Sequence, residues 1–381
     1  MVGTVCMALR SAASSSAGST TATPLGAPSK TAAPPPVSIE GQPPGALSGK
    51  RVVVDPGHGQ FFHETYGWTF QRSPINGLHE DKHTNEIVMD WLRPQLEGAG
   101  ARVLATRSPH RQTVSIIVDE NDPGYSETGT WTKSTNPGLG YRGSYRYAVV
   151  SPDKSTATAT FSTSVPERGE YPVWVYYYAG ADRSQAARFV IKHAGGSTTV
   201  RVNQQQDRQR WVYLGTYPFV KEQPATVTLD NQDTAAPAGV ETLVIADAVR
   251  FGVGLGDVAR DGKTSGQARW VEESYYYMLD HGAPESVYKT RMVERDSGLV
   301  SRPLYADWQG GDAFVSIHTN AADMPNVGSG LSSYIHSTMP SAGSDKLLVL
   351  PDVGEATVDV VFDPPWDRSM MSEAAALALG L

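Results

Sequence analysis

The chain has 381 residues, 40% of them hydrophobic and 9% aromatic, with a formal net charge of −8 and a pI near 5.6. That is enough for two domains with ordinary cores, and an acidic balance without clustered Lys and Arg excludes nucleic acid as a partner. Cys6 is the only cysteine, which excludes an intrachain disulfide, and no stretch approaches the roughly 18 apolar residues of a membrane span.

Residues 1–48 are Ser, Ala, Thr, Pro and Gly in low-complexity order, a composition that cannot bury enough surface to fold, and they are expected to be a disordered spacer. Val2 to Leu9 form an apolar stub, too short for a secretory signal and without its basic start. A start placed too late explains the stub. The expectation is an exported protein whose signal sequence is incomplete as given, with Cys6 either a lipid attachment point or an inert thiol.

Arg51 to Gln60 (RVVVDPGHGQ) is the stretch the chain is organised around. Val52 to Val54 read as a strand buried on both faces, as in a parallel sheet covered by helices. Pro56, Gly57 and Gly59 end it in a sharp turn, which places His58 beyond the carboxyl end of a strand, where ligands bind in open α/β sheets. Glu80 lies in GLHEDKHTNE, just before a helical pattern over Thr84 to Glu97 that has Pro94 in its last turn. Arg102 to Thr106 then returns as a strand, completing a βαβ unit.

From about Val118 to Phe251 the grammar changes to strands and turns: Thr156 to Val165, Tyr171 to Tyr178, a hairpin over Phe189 to Val202, Trp211 to Val220, Ala225 to Leu229 and Val244 to Phe251. Such spacing predicts an inserted sandwich or jelly roll that folds on its own and serves targeting rather than chemistry. Helical Ala268 to His281, a strand over Ser286 to Thr290 and a helix over Arg302 to Trp308 resume the host. Asp312 to Asn320 (DAFVSIHTN) then repeats the first grammar, a buried strand followed by His318.

Two histidines and one carboxylate at one sheet edge, with a fourth position open, are the donor set of a catalytic zinc site, so His58, Glu80 and His318 are the expected ligands of Zn2+. A turn histidine without metal is the plain alternative for His58, and His79 is the substitute ligand if Glu80 is not one. His63 and His83 are expected to flank the site, Asp55 to orient His58 or cap the turn, and Ser316 and Asn320 to hold strand and loop ends. Tyr125, Trp131, Tyr141, Tyr145 and Tyr176 to Tyr178 are expected in the β-core, with sugar stacking the other use of such rings. His110, His193, His281 and His336 are expected at the surface or in packing.

VVVDPGHG, HEDKHTNE, the Thr106-Arg107 pair, the Arg302 helix and FVSIHTNA together resemble the zinc-dependent N-acetylmuramoyl-L-alanine amidases with DPGHGG and SIHaNA motifs, over about Lys50 to Arg107 and Gln267 to Tyr334. GYSETGTW, SYRYA, Trp211 to Thr216 and IADAVRF resemble the golvesin C-terminal-like β-domain, found beside hydrolases of polysaccharides and cell walls. The resemblance implies a three-layer α/β fold with helices on both faces of the sheet, interrupted by the β-insert. The division is a host of residues 49–115 and 255–381 around a β-domain of 116–254. It also implies hydrolysis of the amide between N-acetylmuramic acid and L-alanine, with peptidoglycan as partner and polysaccharide a further partner of the insert. A catalytically impaired wall-binding protein and a zinc amidohydrolase for another amide are the competing readings. The family's general-base glutamate has no match: Glu355 and Glu373 do not stand in the expected setting, so the catalytic residue is unknown, and a chain incomplete at its C-terminus, slow in turnover and prone to aggregate is expected.

Overall fold

The computed structural model describes residues 3–9, 38–39, 45–71, 74, 79–134, 136, 138–292, 294–319 and 357–359. Most of the 1–48 spacer, the side chain of Cys6, and Asn320, His336, Glu355 and Glu373 lie outside the described residues.

The β-branched run of Arg51–Pro56 forms the strand read from the sequence, and it is buried throughout. It pairs in parallel with Arg102–Ala105 on one side and with Ala313–Thr319 on the other, so the two strands that end in histidines are neighbours. Gly3–Leu9 continues the sheet antiparallel to Ala313–Thr319, and Thr357–Asp359 follows it. Val52, Val54, Val103, Val315 and Ile317 pack one face of this sheet against Val88, Met89 and Leu96.

The covering helix is in three pieces, α-helical Glu80–Glu86, π-helical Ile87–Leu92 and α-helical Arg93–Gly98. Pro94 sits at the joint and has no N–H to give to the ladder of the preceding turn, which accounts for the break in register. A second apolar group, built from Phe61, Tyr275 to Met278, Tyr288 and Tyr305, gathers the helices Ser274–His281, Glu285–Tyr288 and Glu294–Trp308. The strand expected over Ser286 to Thr290 is therefore corrected to a helical turn, started by Pro284 in extended conformation before Glu285.

Between these parts the chain builds antiparallel sheets. Gly196–Val202, Ala187–His193, Ala225–Asp230, Thr158–Thr163 and Tyr125–Thr128 lie side by side in one, and Val212–Phe219, Gly169–Tyr176, Ala248–Gly252 and Ser115–Asp119 in another. Their inner faces share one core around Phe161, Tyr171, Val173, Tyr177, Phe189, Ile191, Leu229 and Phe251. Because Ser115–Asp119 pairs with Ala248–Gly252, the segment enters and leaves at the same place.

The expected fold class is corrected by this balance. Strands account for 37% of the described residues and helices for 19%, so this part of the molecule is mostly β, and no clear three-layer α/β fold stands out. The reason is local: helices of the host are short or broken, with Pro94, Gly298 and Pro303 inside them, while the long alternating stretch after Val114 has nothing but strand-forming pattern.

Candidate functional site

Parallel pairing of Arg51–Pro56 with Ala313–Thr319 puts His58 and His318 at the same sheet edge, and the helix start at Glu80 brings the carboxylate over it. His58 Nε2 is 3.2 Å from Glu80 Oε1, His318 Nδ1 is 3.6 Å from the same oxygen, and the two ring nitrogens are 3.3 Å apart. The three residues read from the sequence thus converge. His58 and Glu80 are buried, while the His318 side chain keeps 22% of its surface open.

The Asp-Pro-Gly-His-Gly turn is shaped by this convergence. A Cβ on Gly57 would lie 2.4 Å from His318 Nδ1, so only glycine lets the second histidine in. His58 itself is held at a φ of 57°, an uncommon conformation for a non-glycine residue. Thr84 Oγ1 and Arg107 Nη1 donate to the Gly57 carbonyl at 3.0 and 2.8 Å, and Gly59 N donates to Asp81 Oδ1 at 2.6 Å. The strained turn is therefore tied down from three sides.

Around the donors lies a ring of polar partners. Gln71 Oε1 accepts from the other nitrogen of His58, Nδ1, which leaves the Nε2 lone pair facing Glu80. Asp55 does not contact His58: its carboxylate accepts from Ser316 Oγ at 2.6 Å and from Thr106 Oγ1, and lies 3.5 Å from Arg302 Nη1 and 3.9 Å from His318 Nε2. Burial alone would raise the Asp55 carboxyl, but Arg302, His318 and the two hydroxyls outweigh it and hold the group below the usual carboxylate range. Burial also lowers the His318 imidazole below its ordinary value, against the upward pull of Glu80, which favours the neutral ring. Such a ring is the form that binds a metal.

The remaining histidines stay apart. His63 accepts from Thr65 N at 3.0 Å, His79 packs 4.9 Å from the Phe70 ring, and His83 lies 4.0 Å from Glu86. His110 and His281 are buried where the β-sheets meet the host, beside Trp174, and His193 stacks on Tyr217. Of the aromatic residues singled out, Trp131, Tyr145 and Tyr177 are buried, while Tyr125, Tyr141, Tyr176 and Tyr178 are partly exposed.

Sequence reasoning missed Gln71, which has no motif around it. It also missed a second group, Asp119, Glu120 and Asp247, whose only signals were an Asp-Glu pair at the end of one strand and an aspartate within the mostly apolar IADAVRF.

Residues 116–253 match the Golvesin C-terminal domain family. The chain is 33% identical over 138 residues to the xanthan lyase of Bacillus sp. (strain GL1), a match that takes in 36% of this chain and 14% of that protein. Among solved structures, Paenibacillus xanthan lyase aligns with a TM-score of 0.32 at 29% identity, over 36% of this chain and 13% of that one. A family 35 carbohydrate binding module from Clostridium thermocellum aligns with a TM-score of 0.28 at 15% identity, over 36% of this chain and 98% of the module.

The β-domain resemblance read from the sequence stands. The activity does not: the relative is a xanthan lyase, and the expected N-acetylmuramoyl-L-alanine amidase, its peptidoglycan substrate and the competing wall-binding and amidohydrolase readings are corrected accordingly. Their weakness was physical. Three short motifs specify how a sheet edge holds its donors, but they do not specify which bond lies above them. No helix among the described residues is long and apolar enough to cross a membrane.

Proposed function

We propose that this chain is an exported, polysaccharide-directed protein whose β-domain engages a glycan and whose host part, residues 49–115 and 255–381, holds a zinc ion on His58, Glu80 and His318. The observation that carries the glycan reading is the 33% identity to a xanthan lyase over 138 residues, because xanthan is a polysaccharide, and residues 116–253 match the Golvesin C-terminal domain family.

Geometry supports the metal. A tetrahedral site with arms of about 2.0–2.1 Å has edges of roughly 3.3–3.4 Å, and the three donor separations are 3.2, 3.3 and 3.6 Å. Two imidazoles and one carboxylate favour zinc over the hard cations that prefer oxygen alone. With the ion on His318 Nδ1, the ring proton would sit on Nε2, 3.9 Å from the Asp55 carboxylate, while Gln71 holds the proton of His58 on Nδ1. Bound there, zinc would polarise an oxygen at its fourth position.

The test is co-sedimentation of the full chain with xanthan and a panel of neutral glycans, together with metal analysis. Retention on a polysaccharide and a single zinc ion per chain are expected. Failure to sediment with any glycan would end the polysaccharide reading, and undiminished zinc in folded His58→Ala and His318→Ala proteins would end the metal assignment.

A further inference from the structure

Asp119, Glu120 and Asp247 are a second donor cluster, in the β-domain and independent of the histidine site. Asp119 ends the strand Ser115–Asp119, and Asp247 stands between Leu243–Ala246 and Ala248–Gly252, where the chain crosses from one sheet to the other. Strand pairing sets Asp119 against Ala248, and Glu120 N donates to the Asp247 carbonyl at 2.9 Å. One oxygen from each carboxylate lies within 4.8 Å of the others, and the three residues are 0%, 4% and 2% exposed.

Each carboxylate uses one oxygen and leaves the other without a partner. Asp119 Oδ1 accepts from Asn121 N and Nδ2, Glu120 Oε1 from Ser144 Oγ at 2.5 Å, and Asp247 Oδ1 from Tyr141 N at 2.9 Å. Asp119 Oδ2, Glu120 Oε2 and Asp247 Oδ2 are buried with no hydrogen-bond donor. Lys133 Nζ, half exposed, comes only to 4.0 Å of Glu120 Oε1, and Arg142 is engaged by Asp122. Three buried carboxylates facing one another with so little compensation are far more costly than a neutral core unless a cation joins them.

We propose that Asp119, Glu120 and Asp247 bind a calcium ion that fastens the entering and leaving strands of the β-domain together. The donors are all oxygen, which selects a hard cation. Calcium–oxygen distances of about 2.3–2.6 Å let ligands on one ion stand up to roughly 5 Å apart. Magnesium sheds its water reluctantly, and a pocket this enclosed favours the ion that gives it up. Burial, and then the neighbouring acids, raise the Asp247 carboxyl well above its ordinary value, the strain a divalent ion would relieve.

The experiment uses the full chain carrying His58→Ala and His318→Ala, so that the first site contributes nothing, and follows thermal unfolding and terbium luminescence with and without calcium. Calcium is expected to raise Tm by several degrees and to displace terbium, with a Kd below about 1 mM. Asp247→Asn is expected to abolish both responses and to unfold no lower than the parent in the absence of calcium, because an amide sits beside the two other acids without having to take up a proton. A parent without calcium or terbium response at millimolar ion, or an Asp247→Asn protein that responds like it, overturns the proposal. Should Asp247→Asn fail to fold, Asp119→Asn and the parent titration decide the matter by the same criteria.

Discussion

His318 Nδ1 stands 3.3 Å from His58 Nε2 across a sequence separation of 260 residues, because parallel pairing sets Ile317 opposite Pro56 and both chains run out at one edge. Gly57 is what permits the approach. Gly57→Ala would place a methyl group 2.4 Å from the His318 ring nitrogen, and the ring must then leave. Loss of zinc from a chain with unchanged far-UV circular dichroism is the expected result, read by metal analysis after dialysis.

Asp55 lies beside His318 rather than His58, 3.9 Å from its Nε2. Asp55→Asn keeps the shape and the contacts to Ser316 and Thr106, but removes the negative charge 3.9 Å from His318 Nε2 that favours a proton there. A fall of about 10- to 100-fold in zinc affinity is expected, measured by competition with a chromophoric chelator. Unchanged affinity would show that the Asp55 charge does not act on the His318 ring.

Arg107 is fully buried, and its guanidinium donates to the carbonyls of Gly57 and Trp270 at 2.8 Å and of Glu272 at 3.0 Å. Arg107→Met fills the volume but takes the guanidinium donors from all three carbonyls, of which Gly57 keeps Thr84 Oγ1, so destabilisation on the order of 3 kcal/mol is expected in urea unfolding. An equally stable variant would mean that water replaces the guanidinium.

Glu273 gives a pH signature. Burial is the main cause that raises its carboxyl to about 8, with Arg302 and Arg107 pulling the other way. The folded chain therefore holds a proton that the unfolded chain releases at an ordinary pKa near 4.5. Stability from this group is full below that value and is lost as pH rises towards 8. Glu273→Gln is expected to flatten Tm between pH 5 and 8 and to raise it at pH 8, while parallel curves for the two proteins would rule the assignment out.

How much of this was legible depended on whether the signal was local. The strand at Val52 to Val54, its turn and the repeat at Ala313 to His318 carry their pattern in adjacent residues, and they indicated which side chains would meet. The β-domain was legible from its alternation, and its ends, read as Val118 and Phe251, fall within two residues of the matched 116–253. The mostly β balance of the chain was not, because Ala268 to His281 reads as one helix, yet it forms a short turn at Arg269–Val271 and a helix only from Ser274. Neither was the meeting of Asp119 with Asp247, which exists only once two strands 128 positions apart are paired. Substrate was the least legible of all, since the same donor edge serves many bonds.

The central claim, that His58, Glu80 and His318 form one zinc centre, is tested most directly by X-ray absorption at the zinc edge of the full chain. The account predicts a shell of light atoms at about 2.0–2.1 Å, with the scattering pattern of two imidazoles that falls to one in His318→Ala. A shell of water oxygens alone, or a spectrum that His318→Ala leaves unchanged, would contradict it.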